Sequence, residues 1–368
     1  AVGLCFPVII LVTGFTNMFG LGGAPLFSMA LGQGNREKAI DIQNTALRLL
    51  ILVGAAILLV GELLGDRILL LFGATTGELS LALPYLRIYL IGTIFIMVST
   101  GMNAYINAQG FPVIGMISVT IGAASNLILD PLFIFGWKLG VSGAAAATVL
   151  SQLLSFLFVL TFLFGKKNEL PVCFAWSFPY AGAIMSLGLA PFIMQVTNSL
   201  VQIACNSVLM RYGGAVFVSI MTIVSSVRSI LDVPVMAITD GASPSISYNY
   251  GAGRPQNVRK AIRVMMALAL PYTVAVWALV MAVPQIFVRI FSEDAAILEG
   301  ASRALHLYFF AFVFQSFQYS GQTVFKALNK KGNAIFFSLF RKVILVVPLT
   351  FLLPAAAGLG TDGVFIAE

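Results

Sequence analysis

Long hydrophobic runs separated by short polar segments make up almost the whole chain. Each run is long enough to cross the roughly 30 Å hydrocarbon layer of a bilayer as an α-helix, and is far longer than the roughly ten alternating residues of a barrel strand. Because lipid leaves every backbone amide to be satisfied within its own segment, the pattern predicts an all-α integral membrane fold. We predict ten membrane spans, at about residues 4–31, 45–61, 84–108, 113–136, 141–164, 180–209, 216–247, 264–291, 303–325 and 334–358.

The chain also repeats itself at an offset of 219 residues. Gly22, Pro25, Ser28, Gly32 and Gly34 recur as Gly241, Pro244, Ser247, Gly251 and Gly253. A duplication of this length predicts two pseudo-symmetric helical bundles.

The register of the repeat predicts how the chain is divided. The copy of the span at 180–209 would lie before residue 1, and the copy of the span at 141–164 would begin at about residue 361. We therefore expect twelve spans in the natural protein, of which this chain contains ten. The predicted domains are an N-terminal lobe at 1–165 without its first helix, a cytoplasmic linker at 166–178, and a C-terminal lobe at 179–368 with a truncated last helix. Six spans per copy is an even number, so both copies face the same way.

Composition agrees with this pattern, since 59% of the residues are hydrophobic and 10% are charged. The net charge of +7 comes from Lys and Arg concentrated in one set of alternate loops, and cytoplasmic loops are the ones enriched in these residues. We therefore predict a multi-pass protein of the cytoplasmic membrane, with its basic loops facing the cytoplasm, that does not bind nucleic acid. The predicted cytoplasmic set is Arg36, Lys38, Arg48, Lys166, Lys167, Arg254, Arg259, Lys260, Arg263, Lys326, Lys330 and Lys331.

Enzymatic chemistry finds little support in the residue inventory. One His and three scattered Cys cannot form a His/Cys metal cluster. The glycine pairs at 32–34 and 251–253 follow membrane helices and lack the Lys-Ser/Thr ending of a phosphate loop, so we interpret them as helix stops. We expect no enzymatic activity, no cofactor, and no bound metal ion other than Na+.

An acid inside a predicted span is the clearest candidate for function. An ionised Asp at the bilayer centre costs about 2.5 to 3.5 kcal/mol on insertion scales. Asp130 lies one helical turn after Asn126 on the same face, and Pro131 cannot donate its amide and so frees the carbonyl of Leu127. These oxygens suit Na+, or a proton held on the carboxylate. The alternative is that Asn126 and Asp130 only hold helices together.

Depth in the membrane predicts the partners of this acid. Thr148 lies as far after the turn at 137–140 as Asp130 lies before it, so the two can meet in an antiparallel hairpin. Tyr89 falls at a comparable depth on the preceding span, and Asn103 lies nearer its inner end. We predict a cation-coupling site made of Asn126, Asp130, Thr148, Tyr89 and Asn103.

The second copy has Leu349 at the position of Asp130 and carries its intramembrane charges elsewhere. Arg228 and Asp232 are four residues apart on one span, which allows an ion pair. This pair has either a structural role or a role in substrate binding or coupling. Arg341 and Lys342 lie on another span, and they either pair with an acid or reach into a cavity.

Two rows of amide side chains share one helical spacing, and each row lies on one face of its helix. Amides are strong hydrogen-bonding groups without charge, so such rows can line a wet cavity that accepts varied solutes. Packing between helices explains them equally well. The rows are Gln195, Asn198 and Gln202, and Gln315, Gln318 and Gln322.

Three motifs together resemble the multidrug and toxic compound extrusion (MATE) family. They are Asn126-x-x-x-Asp130-Pro131, the hairpin sequence LGVSGAA at 139–145, and YNYGAG at 248–253. The resemblance covers essentially the whole chain and looks closest to the bacterial branch that includes DNA-damage-inducible protein F.

The resemblance implies two six-helix lobes around a V-shaped cleft, and export of organic, often cationic, compounds in exchange for Na+ or H+. It places a cation site in the first lobe, where Asn126, Asp130 and Thr148 match the family pattern; a further family carboxylate belongs to the helix expected before residue 1. The substrate cavity is expected to include the six amides with Arg228, Asp232 and Arg341. Amphipathic small molecules and membrane lipid are the expected partners, and the protein is expected to be a monomer. The alternative is a lipid-linked saccharide flippase of the same superfamily, which needs a cationic cavity.

Overall fold

The structure, a computed structural model, describes residues 2–71, 75–165, 168, 170–173, 177–292, 294–356 and 358–368. Nearly all of them are helical and none of them lies in a strand, which confirms the predicted all-α fold. The helices are α1 (Phe6–Gly32), α2 (Arg36–Leu71), α3 (Thr76–Ile91), α4 (Thr93–Ala108), α5 (Pro112–Pro131), α6 (Gly140–Leu163), α7 (Ala181–Gly251), α8 (Pro255–Ala282), α9 (Pro284–Arg289), α10 (Ala295–Phe309), α11 (Gln315–Ala327), α12 (Lys331–Leu339), α13 (Val347–Ala356) and α14 (Thr361–Ala367).

Among the described residues, seven helices are long and apolar enough to cross a membrane, and nine if each of two bent pairs is one span. The helix α7 counts once in that total, although its 71 residues would be about 106 Å long as one straight helix, too long for a single span. Gly214 interrupts it with φ 71° and ψ −167°, a conformation that glycine alone adopts readily. Counting the two parts of α7 separately gives the ten predicted spans.

The backbone repeats its own geometry at the predicted offset. Gly34 ends the first long helix with φ 74°, and Gly253, 219 residues later, ends α7 with φ 66°. Gly110 has φ 91°, and its counterpart Asn329 has φ 56°. Left-handed residues terminate helices because they turn the chain away from the helix axis, so both predicted helix stops are confirmed.

The two bent pairs also correspond to each other. The axes of Gly77–Ile91 and Thr93–Ala108 differ by 48°, and those of Ile297–Phe309 and Phe312–Ala327 differ by 47°. Both bends lie at the same place in the repeat, so the duplication extends to the shape of individual spans.

Contacts divide the chain into a first unit, Ala1–Phe192, and a second unit, Ile193–Glu368. The first unit packs α1 against α2 and α4, and α5 against α6. Its core includes Phe19, Phe27 and Tyr105, all fully enclosed. The second unit has its own core around Leu209, Phe309 and Phe365.

The predicted linker at 166–178 falls within the first unit and only partly within the described residues; Lys166 and Lys167 lie outside them. The described part is held on α2. Asn44 accepts from the amide of Cys173 at 3.1 Å, Thr45 donates to the carbonyl of Pro179 at 2.8 Å, and Arg48 donates to the carbonyl of Cys173 at 2.7 Å. The predicted lobe boundaries themselves remain a prediction.

Candidate functional site

Asp130 and Asn126 lie together near the end of α5. The Asn126 amide donates to the Asp130 carboxylate over 3.2 Å, as their spacing of one turn predicts. Both are half-buried, whereas Leu127 and Ile128 between them are 77% and 68% exposed. Within the described part of the chain, Asp130 forms no ion pair. The carboxylate is thus on the polar side of its helix and is not neutralised by an arginine or lysine.

The helix changes its winding directly after this acid. Residues Leu132–Gly136 form a π-helical turn after Pro131. Proline removes one backbone donor, and π turns of this kind widen a helix locally and occur often at functional sites. The helix therefore departs from regular α-helical winding directly after Asp130 and Pro131, and the predicted free carbonyl of Leu127 remains a prediction.

Thr148 lies at the level of this pair on the neighbouring helix α6. A Cβ on Gly143 of α6 would lie 2.9 Å from the Phe133 carbonyl oxygen, so α6 lies close to the π-helical turn that follows α5. In an antiparallel hairpin, Thr148, five residues after Gly143, is then level with the stretch between Asn126 and Asp130, and a direct contact between Thr148 and Asp130 remains a prediction. Its hydroxyl donates to the Ala144 carbonyl at 2.9 Å, which leaves the oxygen lone pairs available to a ligand.

Tyr89 belongs to the same end of the first unit. It is 4% exposed and packs in one core cluster with Tyr85 and with Ala145 of α6. The two tyrosine rings stack with centroids 6.4 Å apart. Tyr85, which the sequence reasoning missed, lies in the same cluster and is 9% exposed. Its position one turn before Tyr89 is the signal that would have identified it.

Asn103 lies elsewhere. Its amide donates to the Gly115 carbonyl at 2.7 Å and to the Ser118 hydroxyl at 2.8 Å, and its carbonyl accepts from Asn107 at 2.9 Å. Ser118 is twelve residues before Asp130, which is about 18 Å along a helix. Asn103 therefore holds α4 against α5, away from the acid.

Two buried oxygens near Thr148 were not anticipated. Gln152 lies one turn after Thr148, and its side-chain carbonyl oxygen has no hydrogen-bond partner. The hydroxyl of Thr93, at the bend between α3 and α4, is also buried without a partner. Gly92, beside Thr93, faces the same Gln152 oxygen. Spacing by four residues from Thr148 is the signal that would have revealed Gln152.

The second unit encloses a compact charged network. Arg228 and Asp232 form the predicted ion pair at 2.9 Å, each with 12% of its side chain exposed. The Tyr319 hydroxyl donates to the same Asp232 oxygen at 3.2 Å. The Arg228 guanidinium lies 5.2 Å from the centre of the Tyr308 ring and 5.7 Å from that of Phe312. Such stacking stabilises a desolvated cation.

A second ion pair borders the first. Lys342 donates to Glu368 at 3.0 Å, and Arg341 lies 3.8 Å from the same oxygen. Arg341 also donates to the Gln315 carbonyl at 3.4 Å. Both cations lie in a π-helical segment, Phe340–Val346, just before Pro348. With Arg228 and Asp232 the network holds three cations and two anions, so its formal charge is +1.

Two adjoining cavities surround this network. A polar cavity of about 180 Å³ is lined by Asn198, Gln202, Arg228, Asp232, Gln315, Gln318, Tyr319, Arg341, Lys342 and Glu368, among others. A larger cavity of about 750 Å³ adjoins it, and Arg228, Gln315, Gln318, Arg341 and Glu368 line both cavities. The remaining walls of the larger cavity are mostly aromatic and aliphatic. The combined site therefore offers polar anchors at one side and apolar surface at the other.

Seven of the nine predicted cavity residues line these walls. Gln195 and Gln322 do not, because the cavities cover only part of the length of each amide row. Gln202 does line the polar cavity, and its side-chain carbonyl accepts a hydrogen bond from the Ser225 hydroxyl at 3.3 Å. Sequence reasoning missed Tyr319 and Glu368, which approach from helices distant in the sequence.

Three buried oxygens in the polar cavity have no hydrogen-bond partner. They are Asp232 Oδ1, Gln318 Oε1 and Glu368 Oε2. Buried polar atoms are nearly always paired, so these acceptors are suited to a ligand that brings its own donors. An amphipathic molecule with an amine or ammonium group meets that requirement.

Comparisons with known proteins agree with this geometry. The MatE family model matches residues 1–132 and 191–352. The multidrug export protein MepA of Staphylococcus aureus strain MRSA252 is 26% identical over 364 residues, which cover 98% of this chain and 80% of that protein. MepA of Staphylococcus saprophyticus is 23% identical with the same coverage.

Solved structures show the same fold. An outward-facing multidrug resistance MATE family transporter of the MOP superfamily aligns with a TM-score of 0.94 at 24% identity, over 100% of this chain and 82% of that one. A MOP superfamily transporter from Pyrococcus furiosus, described as having a binding pocket of reversed polarity, aligns with a TM-score of 0.93 at 24% identity over the same shares.

Proposed function

The chain belongs to the MatE family of multidrug efflux transporters, and we propose that it exports amphipathic organic compounds in exchange for Na+ or H+. The observation that carries the proposal is the half-buried Asp130, unpaired within the described residues and held by Asn126 at 3.2 Å. An acid within a membrane-spanning segment needs a compensating positive charge. A mobile cation supplies that charge only while it is bound, which makes the site suited to coupling.

The coupling site consists of Asn126, Asp130 and Thr148, with Tyr89 and Tyr85 forming its wall. Carboxylate, amide and hydroxyl oxygens are ligands that a hard cation accepts. A proton on Asp130 would meet the same electrostatic need. Asn103 takes no part, because its amide and carbonyl are engaged between α4 and α5.

The substrate binds in the second unit. The larger cavity supplies apolar walls for the body of an amphipathic compound, and the unpaired oxygens of Asp232, Gln318 and Glu368 accept hydrogen bonds from its polar group. Few fixed anchors in a mostly apolar cavity allow many related compounds to bind.

Transport follows from reciprocal linkage. Cation binding at Asp130 and substrate binding favour opposite states of an alternating-access cycle, so the inward passage of the ion drives the substrate outward. The loops with most Lys and Arg face the cytoplasm, by the positive-inside rule. The protein acts as a monomer.

Efflux from proteoliposomes tests the coupling proposal. The full-length protein is reconstituted, Na+ and proton gradients are imposed separately, and the release of a fluorescent organic cation is followed. Asp130→Asn is expected to reduce gradient-driven efflux to the level of empty liposomes while substrate binding persists. Asp66→Asn, at an exposed acid of α2, is the matched control and should transport normally.

Binding measurements add a second readout. In the wild type, the coupling ion should weaken substrate affinity about 5- to 150-fold, the usual range of allosteric coupling. In Asp130→Asn this effect should disappear. Normal gradient-driven efflux by the variant would remove Asp130 from the coupling role.

A lipid-linked saccharide flippase is the second candidate, because Arg228, Arg341 and Lys342 all line the polar cavity. A large anionic head group would need such cations. Two of the three are directly paired with Asp232 or Glu368 at 3.0 Å or less, which leaves little free positive charge and favours the exporter. Saturable binding of a lipid-linked saccharide, with drug efflux insensitive to Na+ and pH, would reverse this order.

A further inference from the structure

A groove of about 630 Å³ lies between the end of α7 and the start of α8, apart from both cavities described above. Its polar end is formed by Ser245, Asn249, Asn257 and Lys260. The Asn257 amide donates to the Asn249 carbonyl at 3.1 Å, and the Asn249 amide donates to the Ser245 backbone carbonyl at 2.9 Å. These bonds fix the two asparagines, and the exposed Lys260 lines the groove beside them.

The other end of the groove is apolar. Val264 and Leu268 of α8, 52% and 58% exposed, line it opposite small and aliphatic residues of α7. Leu268 is eight residues after Lys260, about 12 Å further along the helix. The helix α8 is long and apolar enough to span a membrane, so the groove runs from the end of a span toward its middle.

Charge around the polar end is positive. Arg254, Arg259, Lys260 and Arg263 lie in the first turns of α8 or just before it, and residues 254–283 contain no acid. The nearest acid on α7 is Asp240, and it is already paired with Lys326 at 3.6 Å. Within the described part of the chain, Lys260 itself forms no ion pair.

We propose that this groove binds an anionic phospholipid. The phosphate lies against Lys260 and the Asn257 amide, and one acyl chain follows Val264 and Leu268 along α8. A phospholipid matches both ends at once, because its charged head and apolar chain are arranged in the same order as the groove. Basic pockets between membrane helices bind anionic lipid head groups in this way.

Gly241 gives the groove its depth. A Cβ placed at this position would meet no atom within 4 Å, so a side chain can be added here without displacing the backbone, and it would occupy groove space. Leucine also has a higher helix propensity than glycine. Gly241→Leu should therefore block the acyl-chain end while the protein stays folded.

The test uses the full-length protein in nanodiscs of phosphatidylcholine with increasing phosphatidylglycerol, and native mass spectrometry to count retained lipids. The wild type should retain phosphatidylglycerol in preference to phosphatidylcholine. Lys260→Gln should weaken that binding about fivefold, the effect of one basic residue near a charged membrane surface. Arg259→Gln, one residue away and outside the groove lining, is the matched control and should change it less than twofold.

Gly241→Leu should abolish the preference while the melting temperature stays at the wild-type value. Equal losses for Lys260→Gln and Arg259→Gln would mean diffuse attraction without a site and would overturn the proposal. So would retention of phosphatidylglycerol by Gly241→Leu, or displacement of the lipid by millimolar inorganic phosphate, which would identify a site for a soluble anion.

Discussion

Breaking the Arg228–Asp232 pair tests what holds the second unit together. Both side chains are 12% exposed and 2.9 Å apart. Arg228→Met leaves the carboxylate with only the Tyr319 hydroxyl, and Asp232→Leu leaves the guanidinium between the rings of Tyr308 and Phe312. The double variant removes both charges and leaves neither isolated.

The magnitudes follow from distance and burial. Two unit charges 2.9 Å apart attract by about 6 kcal/mol at an effective dielectric constant near 20. Removing each ion from water costs several kcal/mol, which opposes this attraction, so the net contribution of the pair to the free energy of unfolding is small. Removing one partner of a buried pair nevertheless costs about 3–5 kcal/mol, because the remaining charge is left uncompensated. We expect each single variant to lose about that much and the double variant to lie within about 1–2 kcal/mol of the wild type.

Thermal unfolding of the purified protein in detergent measures these losses. For a unit of this size, 1 kcal/mol corresponds to about 2–4 °C in Tm, so each single variant should melt roughly 6–20 °C lower and the double variant close to the wild type. A double variant as unstable as the single ones would refute the compensation argument.

Efflux by the same variants separates a structural role from a binding role. If the pair is structural, the stable double variant should transport. If Asp232 contacts substrate through its unpaired oxygen, the double variant should be stable yet inactive.

Two further predictions concern close contacts. Gly188→Ala should lower stability by about 1–3 kcal/mol by overpacking, since its Cβ would clash with the Met18 carbonyl oxygen, whereas Gly182→Ala, with open space around it, should be neutral in the same unfolding assay. Lys342→Met should lower the free energy of unfolding by about 2–3 kcal/mol, because it removes the cation closest to Glu368. The loss is smaller than for a fully isolated acid because Arg341 remains 3.8 Å from the same carboxylate, and Lys342→Arg should restore most of the lost stability.

Features set by local sequence were predictable. The spans follow from hydrophobic length, the repeated helix stops from paired glycines, and the Arg228–Asp232 pair from a spacing of four residues. Asn126 and Asp130 meet for the same reason. All of these depend on contacts within one helix or on the solvent that surrounds it.

Features set by tertiary contacts were not predictable from the sequence. Glu368 approaches Lys342 from 26 residues away, and Tyr319 reaches Asp232 across 87 residues. Nothing in the spacing of these residues indicates which helix faces which. The misplacement of Asn103 has the same origin, because depth in the membrane fixes a level but not the direction in which a side chain points.

The two units share a backbone plan but differ in chemistry, and the difference bears on which ligand each can hold. The position of Asp130 is occupied by Leu349 in the second unit, and those of Arg228 and Asp232 correspond to Ile9 and Thr13 in the first. In the first unit the candidate site has one acid, the half-buried Asp130, with neutral oxygens near it, and this arrangement suits a small cation that is bound and released.

In the cavity of the second unit, Asp232 and Glu368 are already paired with cations, so a small ion gains little there. What it offers instead is apolar volume of about 750 Å³ beside three unpaired acceptor oxygens. A larger amphipathic solute gains from both, because its apolar surface leaves water and its donors satisfy the buried acceptors. The charge balance of each site therefore supports our proposal that the ion and the solute bind to different units.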